Sequence, residues 1–185
     1  LARHLSPAIM SYHGIQYQSM APEVMDAEQL AWLQSHLWIL SGLYGCVRPF
    51  HAVEPYRLEM GAKLAVDDAR DLYAFWGDKL ARATAPAGSN TTIVNLASVE
   101  YAKAVLPHLA DDATAVTCLF GEGIRNGKPI QRSTASKKAR GSMVRWMAEN
   151  KLEDASELTA FNIGYRHIPE LSDKNTLVFM NAQAQ

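Results

Sequence analysis

From Asp26 onward, leucines recur at positions 30, 33, 37 and 40, a spacing that predicts an amphipathic helix with one buried stripe. Asp26 and Gln29 have the spacing of a capping box at its start. Trp32 and Trp38 flank the stripe and are assigned to the core. The pattern stops at Ser41-Gly42, where the helix is expected to end. A second helical pattern, Leu72, Phe75, Trp76 and Leu80, follows a cap at Asp68 or Asp71, with Gly77 allowing close packing. A third covers Thr134–Asn150. It places Ala139, Met143, Trp146 and Met147 on one side and spreads Lys137, Lys138, Arg140 and Arg145 over the other, at about 100° per residue. Gly141 falls in the middle of this basic face, where glycine costs about 1 kcal/mol relative to alanine. That cost points to close approach by backbone, phosphate or base; the alternative is packing against a neighbouring segment.

Apolar runs supply the strands. Thr91–Ala97 and Ala113–Phe120 have the β-branched, apolar build of buried strands. Gly164–Ile168 and Thr176–Met180 read as a pair joined through Glu170–Asn175. Asn126-Gly127 marks a hairpin between Gly123–Arg125 and Lys128–Gln131, and Pro129 assigns the return strand to an edge. Arg125, Lys128 and Arg132 add positive charge around it. Leu5–Gln16 reads as a short strand and turn punctuated by Gly14, Thr84–Asn90 as a linker, Val99–Leu106 as a helix capped by Ser98, Ala155–Phe161 as a short helix, and Ala182–Gln185 as a frayed end.

Between the first two helices lies Ser41–Gly61, SGLYGCVRPFHAVEPYRLEMG, which has no periodicity. Gly42 and Gly45 bracket Leu43-Tyr44 in a tight turn that hands over to a short Leu43–Val47 segment. Helix, glycine hairpin and short helix make the outline of a helix-hairpin-helix, which offers backbone N–H groups to a DNA phosphate. Tight turning alone explains the glycines as well. Pro49 and Pro55 bias Arg48 and Glu54 toward extended backbone, so Phe50–Glu54 is expected to be an ordered loop. Arg57 and Glu59 alternate with Leu58 and Met60, which puts both charges on one face of a short strand. There they either form a structural ion pair or share a polar ligand. Asn95 and Ser98 lie where a strand hands over to a helix, the edge at which open α/β sheets bind ligands. For Ser98 a capping role is the preferred account, and Glu100 is equally a first-turn acid or a site carboxylate.

Composition narrows the classes. The 185 residues suffice for one domain, 48% of them are hydrophobic, and no run approaches the roughly 18 apolar residues of a membrane span. With a net charge of −1, nucleic-acid affinity requires local segregation of charge. Two cysteines make no disulfide framework and fit a reducing compartment. Cys46 lies beside Arg48, whose charge would lower a thiol pKa, but a small buried apolar cysteine is the preferred reading. The six histidines share no ligand spacing, and His13 is read as a surface residue. No metal site is expected and no cofactor is implied.

The segments LSGLYG–VRP and PYRLEMG, followed by DLYAFWGD, VNLASVEY, KKARG and ENKL, closely resemble the YaaA family of bacterial peroxide-stress resistance proteins, in family order. The resemblance implies a cytosolic protein that limits oxidative damage and is associated with lowering available iron. It also implies an α+β fold, a mixed α/β single domain with a central mixed sheet flanked by helices, a helix-hairpin-helix-like element, a basic cleft and affinity for DNA. By the same comparison residues 1–185 are expected to lack the N-terminal portion of longer relatives. His13 and Ile15 stand where the family pattern has a lysine and an aspartate, and Ser19 replaces a glycine.

Two functions from different classes follow. In the first, a cytoplasmic monomer with no membrane contact binds DNA non-specifically, phosphates meeting Gly42, Gly45, Arg48, Lys137, Lys138, Arg140 and Arg145. In the second, an enzyme acts on a nucleotide-like anion or nucleobase. Tyr44, Arg57, Glu59, Glu100 and Lys138 are then its catalytic candidates, with Arg140, Asn95 and Ser98 lining the same polar pocket.

Overall fold

The computed structural model describes residues 5–183. In chain order its strands and α-helices are β1 (Ser6–Pro7), α1 (Ala8–Ser11), α2 (Ile15–Met20), α3 (Ala27–His36), β2 (Ile39–Ser41), β3 (Gly45–Val47), β4 (Ala52–Val53), α4 (Leu72–Trp76), α5 (Lys79–Thr84), β5 (Thr92–Asn95), α6 (Val99–Ala102), β6 (Thr114–Gly121), β7 (Ile124–Arg125), β8 (Lys128–Pro129), α7 (Ser133–Asn150), β9 (Tyr165–His167) and β10 (Thr176–Asn181). This is the mixed α and β composition expected. The chain divides into two compact units. One comprises residues up to Ser11, Gln34–Ile93 and Ala97–Ala115; the other comprises Tyr12–Leu33, Val94–Leu96 and Val116 onward.

The first unit is loop-rich and held by a small core. Met60, Leu72, Leu80, Ala81, Ala104 and Val105 are buried together, with Trp76, Tyr73 and Tyr101 packed against them. The expected cap is present: Asp71 accepts the Ala74 N–H at 2.8 Å at the start of α4. The predicted helix through Leu80 breaks at Gly77, whose φ of 51° ends α4 before α5 begins. β1 pairs antiparallel with β4, so part of the expected Phe50–Glu54 loop is a strand. In Leu5–Gln16 the short strand is β1, and the helical turns of α1 and the start of α2 follow it.

The helix-hairpin-helix outline is replaced by a β-hairpin. Helix α3 ends at His36, and β2 and β3 pair antiparallel with Ile39 opposite Val47 and Ser41 opposite Gly45. The leucine spacing carries on past the helix because Ile39 and Ser41 alternate inward on a strand instead. Arg48 marks the stop. Its guanidinium donates to the carbonyls of Ser35, at 2.9 Å, and Leu37, at 3.3 Å, and lies over the Trp38 ring at 3.7 Å. Those are carbonyls a helix end leaves without intrahelical partners. Residues 54–59 form no strand.

The second unit is built on the sheet β5–β6–β10–β9, in which β10 runs parallel to β6 and antiparallel to β9. The predicted pairing of the last two strands is realised in β9 and β10. Phe120 of β6, Phe179 of β10 and Phe161 form its aromatic centre, with Phe120 stacked on Phe179 at 5.5 Å and edge-on to Phe161 at 6.2 Å. The capping box at Asp26 is formed in both directions, Gln29 N–H to Asp26 at 2.9 Å and Asp26 N–H to Gln29 at 3.1 Å. The Asn126-Gly127 hairpin is present as β7–β8, both turn residues at positive φ. The fraying expected of Ala182–Gln185 falls partly outside the described residues.

Candidate functional site

Ser41 is the hub of the signature stretch in the first unit. Fully buried, its hydroxyl oxygen accepts the N–H groups of Tyr44, at 2.9 Å, and Leu43, at 3.2 Å. Two accepted bonds occupy both lone pairs of a hydroxyl, so its own proton must go to the Tyr56 oxygen 2.5 Å away. Tyr56 packs edge-on to Tyr44 at 5.5 Å, and the Tyr44 hydroxyl accepts the Glu54 N–H at 3.0 Å. Turn, loop and two phenols are thus one hydrogen-bonded mesh.

The two glycines of this stretch are explained by packing. A Cβ on Gly42 would sit 2.7 Å from the Leu58 carbonyl oxygen, and Gly42's own carbonyl accepts the Trp76 indole N–H at 3.1 Å. At Gly45 a Cβ would meet the side chains of Leu80 and Trp76 at 2.8 Å. Packing against Leu58, Leu80 and Trp76 accounts for both glycines, and Arg48 is held by helix carbonyls.

Beyond the loop, Glu100 accepts the Gly61 N–H at 2.8 Å, while its backbone carbonyl accepts the Tyr73 hydroxyl at 3.1 Å. Burial pushes the Tyr101 phenol up, and the charges of Glu100, Tyr56 and Glu59 push the same way. Tyr44, Glu59 and Glu100 are accordingly brought around Tyr56 and Tyr101. Arg57 and Glu59 are exposed and form no ion pair with each other. Ser98 occupies the cap position of α6 but makes no side-chain capping bond. Sequence reading missed Ser41, Tyr56 and Tyr101. Of these only Ser41 carried a local signal, since serine commonly bonds the N–H groups two and three residues on in a turn.

Both cysteines are muted. Burial raises the Cys46 pKa, outweighing the opposing charge of Arg48, and pushes Cys118 up to about 12. A thiol reagent at pH 8 is expected to modify Cys46 of the native protein more slowly than a free thiol, and Cys118 only on unfolding. Rapid labelling of both thiols in the native state would contradict this.

In the second unit the charge is segregated. From Gly123 to Ala148 the chain carries seven Lys and Arg residues and no Asp or Glu. Arg125, Lys128, Arg132, Lys137 and Lys138 are exposed. Arg132 stands at the cap position of α7, where no side-chain capping bond is made. Arg145 is tied to Glu149 at 2.7 Å. Gly141 is not on an exposed basic face: a Cβ there would lie 2.0 Å from the Gln16 carbonyl oxygen, because α2 crosses α7 at this point. Arg140 is half-buried as well. Asn95 donates to the Thr117 hydroxyl at 3.2 Å. Of the residues expected to line one pocket, Tyr44, Arg57, Glu59, Ser98 and Glu100 belong to the first unit and Asn95, Lys138 and Arg140 to the second.

Comparison with known proteins agrees in kind. The family model described as peroxide stress protein YaaA matches residues 1–171. A UPF0246 protein of Desulfitobacterium hafniense is 45% identical over 186 residues, covering 100% of this chain and 73% of that protein. A UPF0246 protein of Pediococcus pentosaceus is 49% identical over 181 residues, covering 97% and 71% respectively. One of Lachnoclostridium phytofermentans is 45% identical over 186 residues, covering 100% and 71%. No helix among the described residues is long and apolar enough to cross a membrane.

Proposed function

The chain belongs to the peroxide stress protein YaaA family, and from that premise we propose that it protects cells against peroxide by binding duplex DNA in the cytoplasm without sequence preference. The observation that carries this reading is the acid-free run Gly123–Ala148, with five exposed cations between Arg125 and Lys138. We assign the basic surface expected of the family to this segment. A chain of net charge −1 gains no general attraction to a polyanion, so a concentrated patch is what such binding needs. Contacts of this kind release counterions and read no base edges. The association with limited intracellular iron is part of the same proposal and is read out separately, as chelatable iron in cells with and without the protein after peroxide.

The test is a titration against labelled duplex oligonucleotides of unrelated sequence at 50 and 200 mM salt. Five phosphate contacts predict a loss of about 500-fold in affinity over that range. Lys137→Ala/Lys138→Ala is expected to flatten the salt slope by about 2, equally for all sequences. Absence of binding by the folded wild-type chain would sink the proposal.

A further inference from the structure

We propose that Arg140 is the anchor of a site for a single phosphate-class anion, in the crease of the second unit where α2, α7 and the sheet meet. On α7, at about 100° per residue, Arg140 falls between Met143 and Val144, both buried, and so inside the apolar arc rather than on the exposed one. One side of that arc faces β6, since Ser136, one turn earlier, donates to the Phe120 carbonyl at 3.5 Å. The other side faces α2 at Gly141. The buried Nε places the inner part of the guanidinium in this crease.

It arrives there without a counterion. Among the described residues the buried Arg140 Nε has no hydrogen-bond partner, and burial lowers the pKa of the group with no carboxylate opposing it. Neither α2, β5 nor β6 contains an acidic residue, and the one acid of α7, Glu149, is held by Arg145. Three other arginines that touch the fold are matched: Arg48 by helix carbonyls and Trp38, Arg82 by Asp78, Arg145 by Glu149. A partly desolvated charge with no carboxylate beside it is costly, and a guanidinium presents donors in a fork that fits phosphate oxygens. Gly141 locks the α7 backbone against α2 one residue on, so the fork is placed before the anion arrives.

This goes beyond the DNA reading and does not rest on it, since Lys137 and Lys138 lie on the exposed surface and Arg140 does not. The anion comes either from free phosphate monoesters or from a nucleic-acid backbone, and the chemistry at Arg140 is shared.

The experiment uses the full chain with inorganic phosphate, chloride matching the ionic strength. Wild type at a hundred times the phosphate dissociation constant is expected to gain roughly 5–10 °C in Tm. Arg140→Met keeps the stem and removes the charge. In phosphate-free buffer its Tm should equal or exceed that of wild type, and the phosphate gain should vanish. A large Tm loss in Arg140→Met without phosphate, or an equal phosphate gain in both proteins, overturns the proposal. In wild type the Arg140 Nε–Hε NMR signal should shift saturably with phosphate, and a signal that does not move overturns it independently of any variant. Repeating that titration with a nucleoside monophosphate and with a duplex oligonucleotide identifies the source, whichever outcome the DNA-binding titration has.

Discussion

Gly141→Ala is expected to destabilise the second unit by about 3–5 kcal/mol, read as a shift in the urea unfolding midpoint. The added Cβ would lie 2.0 Å from the Gln16 carbonyl oxygen and 3.0 Å from the Met20 N. Both are backbone atoms of α2, so no rotamer change relieves the clash and the whole helix must move off α7. Ordinary overpacking of a core costs about 1–3 kcal/mol, and a backbone collision exceeds it. The sign makes the test decisive. On an exposed helix face the same substitution stabilises by about 1 kcal/mol, because alanine is the better helix former. A neutral or stabilised Gly141→Ala would put Gly141 back on an open basic face and remove the α2 crossing from this account.

What could be read from the sequence was mostly local. The Asp26–Gln29 box, the Asp71 cap, the Asn126-Gly127 hairpin and the final strand pair each follow from neighbours within a few residues. Elements closed by distant partners escaped. Leucine spacing ran the first helix on to Ser41, whereas Arg48 takes the carbonyls of Ser35 and Leu37 and the chain turns into β2. On α7 the cations are spread widely enough to suggest one charged face, and nothing in their spacing says that α2, more than a hundred residues earlier, covers Gly141. Arg140 was therefore counted with Lys137 and Lys138, although its phase matches Met143 and Val144. At the signature stretch, composition marked the right segment and its glycines. It left their purpose open between a ligand and tight turning because the approaching groups, Leu58 and Trp76, lie outside the turn itself.

Ser41→Ala should cost more than Tyr56→Phe, although both remove one hydroxyl from the same hydrogen bond. Alanine at the buried position 41 leaves the part-buried Leu43 and Tyr44 N–H groups without their acceptor, each loss costing about 1–2 kcal/mol. An expected total of about 2–4 kcal/mol follows, measured from the urea midpoint. Phenylalanine at 56 removes the acceptor of the Ser41 proton, a bond of about 1 kcal/mol, and leaves the edge-on contact with Tyr44 intact. The order matters because it tests the proton assignment. Were Tyr56 donating to Ser41 instead, the serine oxygen would be asked to accept three bonds with two lone pairs, and one backbone N–H would already be poorly held in the wild type. Ser41→Ala would then cost little more than Tyr56→Phe. A clear excess for Ser41→Ala makes the serine the hub that folds Gly42–Tyr44 against residues 54–59, and with them the phenols and carboxylates gathered around Tyr101.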